Sequence, residues 1–184
     1  DLEFTLIDTA GIDDSLKGST EMKIKKQSQL AIDDANVIFF VIDGRDGVLP
    51  IEKTFAMNLK KQNKPIIILI NKSEGSKGLV GLSESASLGF ENVIPISAEH
   101  GEGLPDLYDV LKNCLDDHNI NIKKNESLSI IENSSIRVSV IGRPNTGKST
   151  LVNNIIGENR LVTGSEAGIT RDSIEIEWNY KKQT

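Results

Sequence analysis

One stretch of this 184-residue chain limits what it can fold into: Gly142-Arg143-Pro144-Asn145-Thr146-Gly147-Lys148-Ser149, followed by Thr150. Its spacing is G-x-x-x-x-G-K-[ST], that of a phosphate-holding loop. Such a loop curls so that successive backbone N–H groups point inward at an anion. Its glycines permit that backbone and a close approach. Lys148 brings positive charge to β- and γ-phosphates, and Ser149 a hydroxyl for Mg²⁺. The helix that follows turns its positive N-terminus to the same anion. The loop therefore needs a hydrophobic strand before it and a helix after it. IRVSVIG (136–142) reads as the strand, and KSTLVNNIIG as the helix, stopped by Gly157.

The rest of the chain repeats this alternation. LEFTLI (2–7) reads as a strand. Residues 12–35 are polar with scattered apolar positions (Met22, Ile24, Leu30, Ala31), which predicts a loop and then an amphipathic helix. NVIFFVID (36–43) and PIIILINK (65–72) are unbroken apolar runs, the mark of strands buried on both faces. Between them Pro50 suits a first helical turn, and Ile51, Phe55 and Leu59 recur on one face. Residues 73–90 are rich in Gly and Ser, with a short helix expected at 83–88. NVIPISA (92–98) predicts a further strand and 104–117 a helix, with Cys114 a buried thiol on its apolar face. HNINIKKNESLSIIENSS (118–135) reads as a linker. IEIEWNY (174–180) alternates, with Ile174, Ile176 and Trp178 on one side, as in a half-buried strand near a sheet edge. The fold class expected is α/β: a P-loop-type, mainly parallel sheet flanked by helices. The order is odd, because the phosphate loop normally opens such a domain and here arrives near the end.

Four further segments close on predicted strand ends, where open α/β sheets bind ligands. Asp8-Thr9-Ala10-Gly11 offers a carboxylate for a magnesium-bound water and a Gly11 N–H to sense a γ-phosphate. Asn71-Lys72-Ser73-Glu74 offers a carboxylate that can accept from the N1–H and N2–H₂ edge of guanine. Ser97-Ala98, with Glu99, offers a backbone N–H to the guanine carbonyl. Thr170, in the polar loop EAGITRD, offers a hydroxyl to complete a magnesium shell. Each tetrapeptide alone could be an ordinary turn, but the conjunction selects guanine over adenine.

Composition narrows the setting. A net charge of −6 argues against a broadly basic nucleic-acid surface. One cysteine rules out an internal disulfide and fits a reducing cytoplasm. No apolar run reaches transmembrane length, so no membrane partner is expected. The chain opens on Asp1 and closes mid-pattern at Thr184, so cut ends are expected. His100 and His118 read as surface residues.

GRPNTGKST, EAGITRD, LIDTAGI and ISAEHGEG resemble translation-factor-type GTPases, and more closely the EngA (Der) family. That family carries two G domains in tandem and a C-terminal KH-like domain. The resemblance covers essentially the whole chain and accounts for the motif order. Residues 1–117 resemble the back of a first G domain, and 136–184 the front of a second, joined by the linker 118–135. The resemblance implies GTP hydrolysis to GDP with Mg²⁺ bound by Ser149, Thr170 and, through water, Asp8. It implies a role in ribosome assembly, with the large subunit or its precursors met through parts outside this chain. It also implies K⁺ near Asn145, which on its residue type alone is equally a turn residue.

One sequence period holds every motif once, in rotated order. An eighteen-residue linker spans roughly 23 Å as a coil and about 60 Å extended, against a domain of roughly 30–40 Å. The two parts are therefore expected to be able to pack as one circularly permuted G domain. Two departures bear on mechanism. Glu74 stands where such GTPases usually have Asp. Ile12 stands where many have a water-orienting Gln, so slow hydrolysis is expected. Two other readings stay open: a naturally permuted GTPase complete as it stands, and a module that senses GTP or GDP without turnover.

Overall fold

The computed structural model describes residues 2–12, 28–75, 78–118, 120, 136–161 and 174–180. The strands are β1 (Leu2–Asp8), β2 (Val37–Asp43), β3 (Ile66–Asn71), β4 (Val93–Pro95), β5 (Ile136–Gly142) and β6 (Ile174–Tyr180). Helical residues 28–34 form α1. The others are α2 (Pro50–Leu59), α3 (Leu79–Ser85), α4 (Leu104–Asp117) and α5 (Lys148–Ile156), with a 3₁₀ turn at Ala86–Leu88.

The strands make one sheet in the order β4-β3-β2-β5-β1-β6. All pairings are parallel except β1 with β6. The mainly parallel α/β sheet expected from sequence is therefore present, and the alternating segment 174–180 lies at its edge. β5 sits in the middle: Leu6 faces Val138 on one side and Val37 faces Val138 on the other. A strand so placed must be apolar on both faces, and Val138, Val140 and Ile141 are fully buried.

Alternate residues feed two core layers. Phe39, Val41, Leu69 and Val140 point to one face, packed under Leu107, Leu111 and Leu115 of α4 and Leu151 and Val152 of α5. Ile38, Phe40, Ile42, Ile68 and Ile70 point to the other, under Ile32 of α1, Ala56 and Leu59 of α2 and Leu88. Cys114 is buried in the first layer, as read from the sequence. Polar side chains stitch the late strand to the early ones. Thr9 Oγ1 donates to the Val140 carbonyl at 2.8 Å. Asn36 N–H donates to the Arg137 carbonyl, and Arg137 N–H to Asn36 Oδ1, each at 2.7 Å.

Two boundaries and one buried position differ from expectation. α3 begins at Leu79, inside the Gly/Ser-rich stretch, rather than at 83. Packing overrides local propensity there: Gly81 lies so close to Gly44 that a Cβ would stand 2.7 Å from its Cα. β4 stops at Pro95, and Ser97 instead bridges to Glu102. On β6, Ile176 is buried but Ile174 is 42% exposed, because it faces the last residue of β1 at the strand's end. Trp178's side chain and the linker residues 119 and 121–135 lie outside the described residues. Among the described residues no helix is long and apolar enough to cross a membrane.

Leu151 is fully buried between α5 and the sheet. We expect Leu151→Ala to cost about 2–5 kcal/mol in urea unfolding. Circular dichroism and fluorescence of the single tryptophan should shift together, since β5–α5 belongs to the same core. Separate transitions would contradict a shared core.

Candidate functional site

Because the sheet is mainly parallel, the carboxyl ends of β1, β2, β3, β4 and β5 open on one side. The phosphate-type loop after β5 lies among them. Two of its residues have left-handed backbone: Asn145 (φ +62°) and Gly147 (φ +93°). Gly147 is needed for space as well, since a Cβ there would stand 2.2 Å from Asn71 Nδ2. Thr146 is buried and its Oγ1 donates to the Arg143 carbonyl at 3.0 Å.

Asn71 ties three loops together. Its Nδ2 donates to the Thr146 carbonyl at 2.6 Å, and its Oδ1 accepts from Ala98 N–H at 2.8 Å. Lys72, also left-handed at φ +60°, reaches back across the same gap. Its Nζ donates to the Asn145 carbonyl at 2.9 Å and pairs with Asp43. The segments 71–72, 98 and 145–147 are thereby held in one place, as their strand-end positions implied.

At the other end of the loop, Ser149 Oγ donates to Asp8 Oδ2 at 2.7 Å. Asp8 is fully buried, and its Oδ1 has no hydrogen-bond partner. Burial raises its carboxyl above the usual range, against the opposing pull of Ser149 and Lys148. Lys148 is 6% exposed, and burial lowers its ammonium to about 8, with Asp8 opposing and Arg143 adding to the fall. Its Nζ donates to the Arg143 carbonyl at 2.8 Å. A buried cation and a half-satisfied carboxylate fit an anion carrying a divalent ion. Ala10 is buried beside them, and Gly11 lies against Pro144, where a Cβ would stand 2.4 Å from the proline nitrogen. Ile12 N–H donates to the Gly142 carbonyl at 2.9 Å.

On the third side, Ser73 Oγ donates to the Ile70 carbonyl at 2.6 Å. Glu74 Oε1 pairs with Arg45, while Glu74 Oε2 and Ser97 Oγ are buried and neither meets another group in full hydrogen-bond geometry. Desolvation would raise the Glu74 carboxyl, but its own backbone N–H, the nearby Ser97 hydroxyl and Arg45 outweigh that and lower it. A cavity of about 340 Å³ adjoins this side, lined by Ala98, Glu99, Thr150, Asn153 and Asn154 among others. His100 and His118 are exposed, and Thr170 lies outside the described residues.

Sequence reasoning missed the turn after β2. Arg143 Nε donates to Glu52 Oε1 at 2.9 Å and Nη2 to Asp46 Oδ2 at 2.8 Å. Glu52 is 2% exposed, and its other oxygen accepts from Leu49 N–H at 2.9 Å. Burial raises its carboxyl, with Leu49 N–H and Arg143 opposing. Only the position of the acids Asp43 and Asp46 at a strand end could have signalled this.

The comparisons agree with that geometry. A family model described as 50S ribosome-binding GTPase matches residues 1–72 and 137–184. GTPase Der of Bradyrhizobium sp. (strain BTAi1) is 47% identical over 182 residues, 98% of this chain and 40% of that protein. GTPase Der of Rhodopseudomonas palustris (strain BisB5) is 44% identical over 186 residues, again 98% and 40%. GTPase Der of Azorhizobium caulinodans is 46% identical over 184 residues, 97% and 41%. The chain thus spans about two-fifths of the length of these relatives. With the phosphate-type loop, the Asp8 strand end and the Asn71 strand end converging as described, the chain belongs to the 50S ribosome-binding GTPase family.

Proposed function

We propose that the chain binds GTP and GDP and turns GTP over slowly to GDP and phosphate, as part of a switch in large-subunit ribosome assembly. The observation that carries this reading is the meeting of Ser149 with Asp8 at one end of the loop and of Thr146 with Asn71 at the other. Phosphate and base positions are then set in one frame. Residues 1–117 and 136–184 act as one permuted nucleotide domain, with 118–135 as the connector. The central place of β5 supports this.

Lys148 and the amides of residues 142–150 hold the phosphates. The residues present fit Mg²⁺: a hydroxyl at Ser149 and an unpartnered carboxylate oxygen at Asp8. When bound, Mg²⁺ neutralises charge on the β- and γ-phosphates. Ser149 and Thr170 would hold it directly and Asp8 through water. Asn71, Lys72, Ser73, Glu74, Ser97 and Ala98 frame the base, with Glu74 reading guanine. Gly11 senses the γ-phosphate, and its release with Thr170 makes the switch. Asn145 would hold K⁺, which would supply charge that Ile12 cannot help to place. The ribosomal partner is met through parts beyond these residues, in the cytoplasm.

Ile12 also favours a second reading, a sensor without turnover. Its side chain is apolar and its N–H is engaged by Gly142.

Calorimetry with Mg²⁺ tests the binding site. GDP should bind and ADP should not. Lys148→Ala should weaken GDP by roughly 30-fold or more, the loss of one partner from a buried charge pair. Unchanged GDP affinity in that variant would refute the site. Phosphate release tests turnover: it should be faster in K⁺ than in Na⁺, and Asn145→Ala should erase the difference. GTP bound but never cleaved in either salt would favour the sensor.

A further inference from the structure

The turn Asp43–Asp46 belongs to none of the motifs above, yet it touches both halves of the site. Gly44 N–H donates to the Asn71 carbonyl at 2.7 Å, and Asp43 pairs with Lys72. Asp46 pairs with Arg143 at 2.8 Å. Between them, Arg45 N–H donates to Asp43 Oδ1 at 3.0 Å, which fixes the turn, and its guanidinium pairs with Glu74 Oε1.

We propose that Arg45 is a positioning residue that makes Glu74 a competent reader of guanine; this rests on the nucleotide reading above. Glu is one methylene longer than Asp, so its carboxylate has one more rotatable bond to order on binding. Arg45 orders it in advance. One charge-assisted hydrogen bond from Arg45 Nη2 to Glu74 Oε1 restricts where the carboxylate can swing. A carboxylate has about four lone-pair sites, so the pair leaves acceptor capacity for a ligand. Glu74 Oε2 and the neighbouring Ser97 Oγ are buried and neither meets another group in full hydrogen-bond geometry, although the Ser97 hydroxyl lies near enough to help lower the carboxyl. The N1–H and N2–H₂ donors of guanine would take up the carboxylate's remaining acceptor capacity; adenine has no such edge.

The pair is a poor brace for the fold. Arg45 is 50% exposed at its side chain, and ion pairs of that kind add little to stability. Its effect belongs to binding. The test uses the full chain and two ligands, GDP and inosine diphosphate, which lacks the exocyclic amine. Arg45→Ala should weaken GDP roughly three- to tenfold, the effect of leaving one flexible side chain to be ordered by the ligand. It should also narrow the preference for GDP over inosine diphosphate, with the melting midpoint unchanged. Arg45→Lys should recover part of the affinity. In a Glu74→Asp background, where the shorter side chain needs no ordering, Arg45→Ala should change GDP binding less than about twofold. Equal or tighter GDP binding by Arg45→Ala overturns the inference, and tighter binding would mean that Arg45 competes with the base. The same loss in the Glu74→Asp background also overturns it. A wild-type chain that binds no GDP overturns both the nucleotide reading and this one.

Discussion

A phosphate-holding loop has to spring from the carboxyl end of an interior parallel strand. β5 meets that demand by filling the slot between β2 and β1. Without it, both neighbours would present unpaired backbone N–H and C=O groups inside the core, at a cost of a lost hydrogen bond each. The other structural features depend on this insertion. α5 covers one face because β5 delivers it there, and it shares that face with α4. The loop meets Asp8 and Asn71 because β1 and β3 run in the same direction as β5, so that their carboxyl ends open on the same side of the sheet.

The site is held by charge as much as by packing. Asp8, Glu52 and Lys148 are all buried, and each has its titration displaced by burial. Buried charges are tolerated only when paired or hydrogen-bonded. Glu52 is met by Arg143 and Leu49 N–H, and Lys148 by the Arg143 carbonyl. Asp8 retains one oxygen without a partner. Arg143 is thus held by its side chain from the turn after β2, while its carbonyl receives Lys148 and Thr146. The loop's shape depends on a segment nearly a hundred residues earlier.

Much of this was legible beforehand. The unbroken apolar runs at 36–43 and 65–72 announced strands buried on both faces, and β2 is buried throughout. The alternation at 174–180 announced an edge. The start of α3 was not legible, because Gly78 and Gly81 argue for a loop by propensity and are tolerated for close backbone contact. Nor was the part played by Arg45, Asp46 and Glu52. Charged residues in a turn or the first turn of a helix ordinarily face water, and the sequence did not show that Glu52, in the first turn of α2, would be 2% exposed.

By itself the sequence determined the class of fold, the strand and helix alternation and the residue types of the site, since those follow from local hydrophobic period and from loop chemistry. Only the tertiary structure decided which strand is central, which loops touch and which charges are buried. Those properties arise from pairings between residues far apart in the chain, such as Ser149 with Asp8 at a separation of 141 positions. No local pattern encodes the partner across such a distance. The parallel sheet brings those partners together, because it sets all its interior strand ends on one rim.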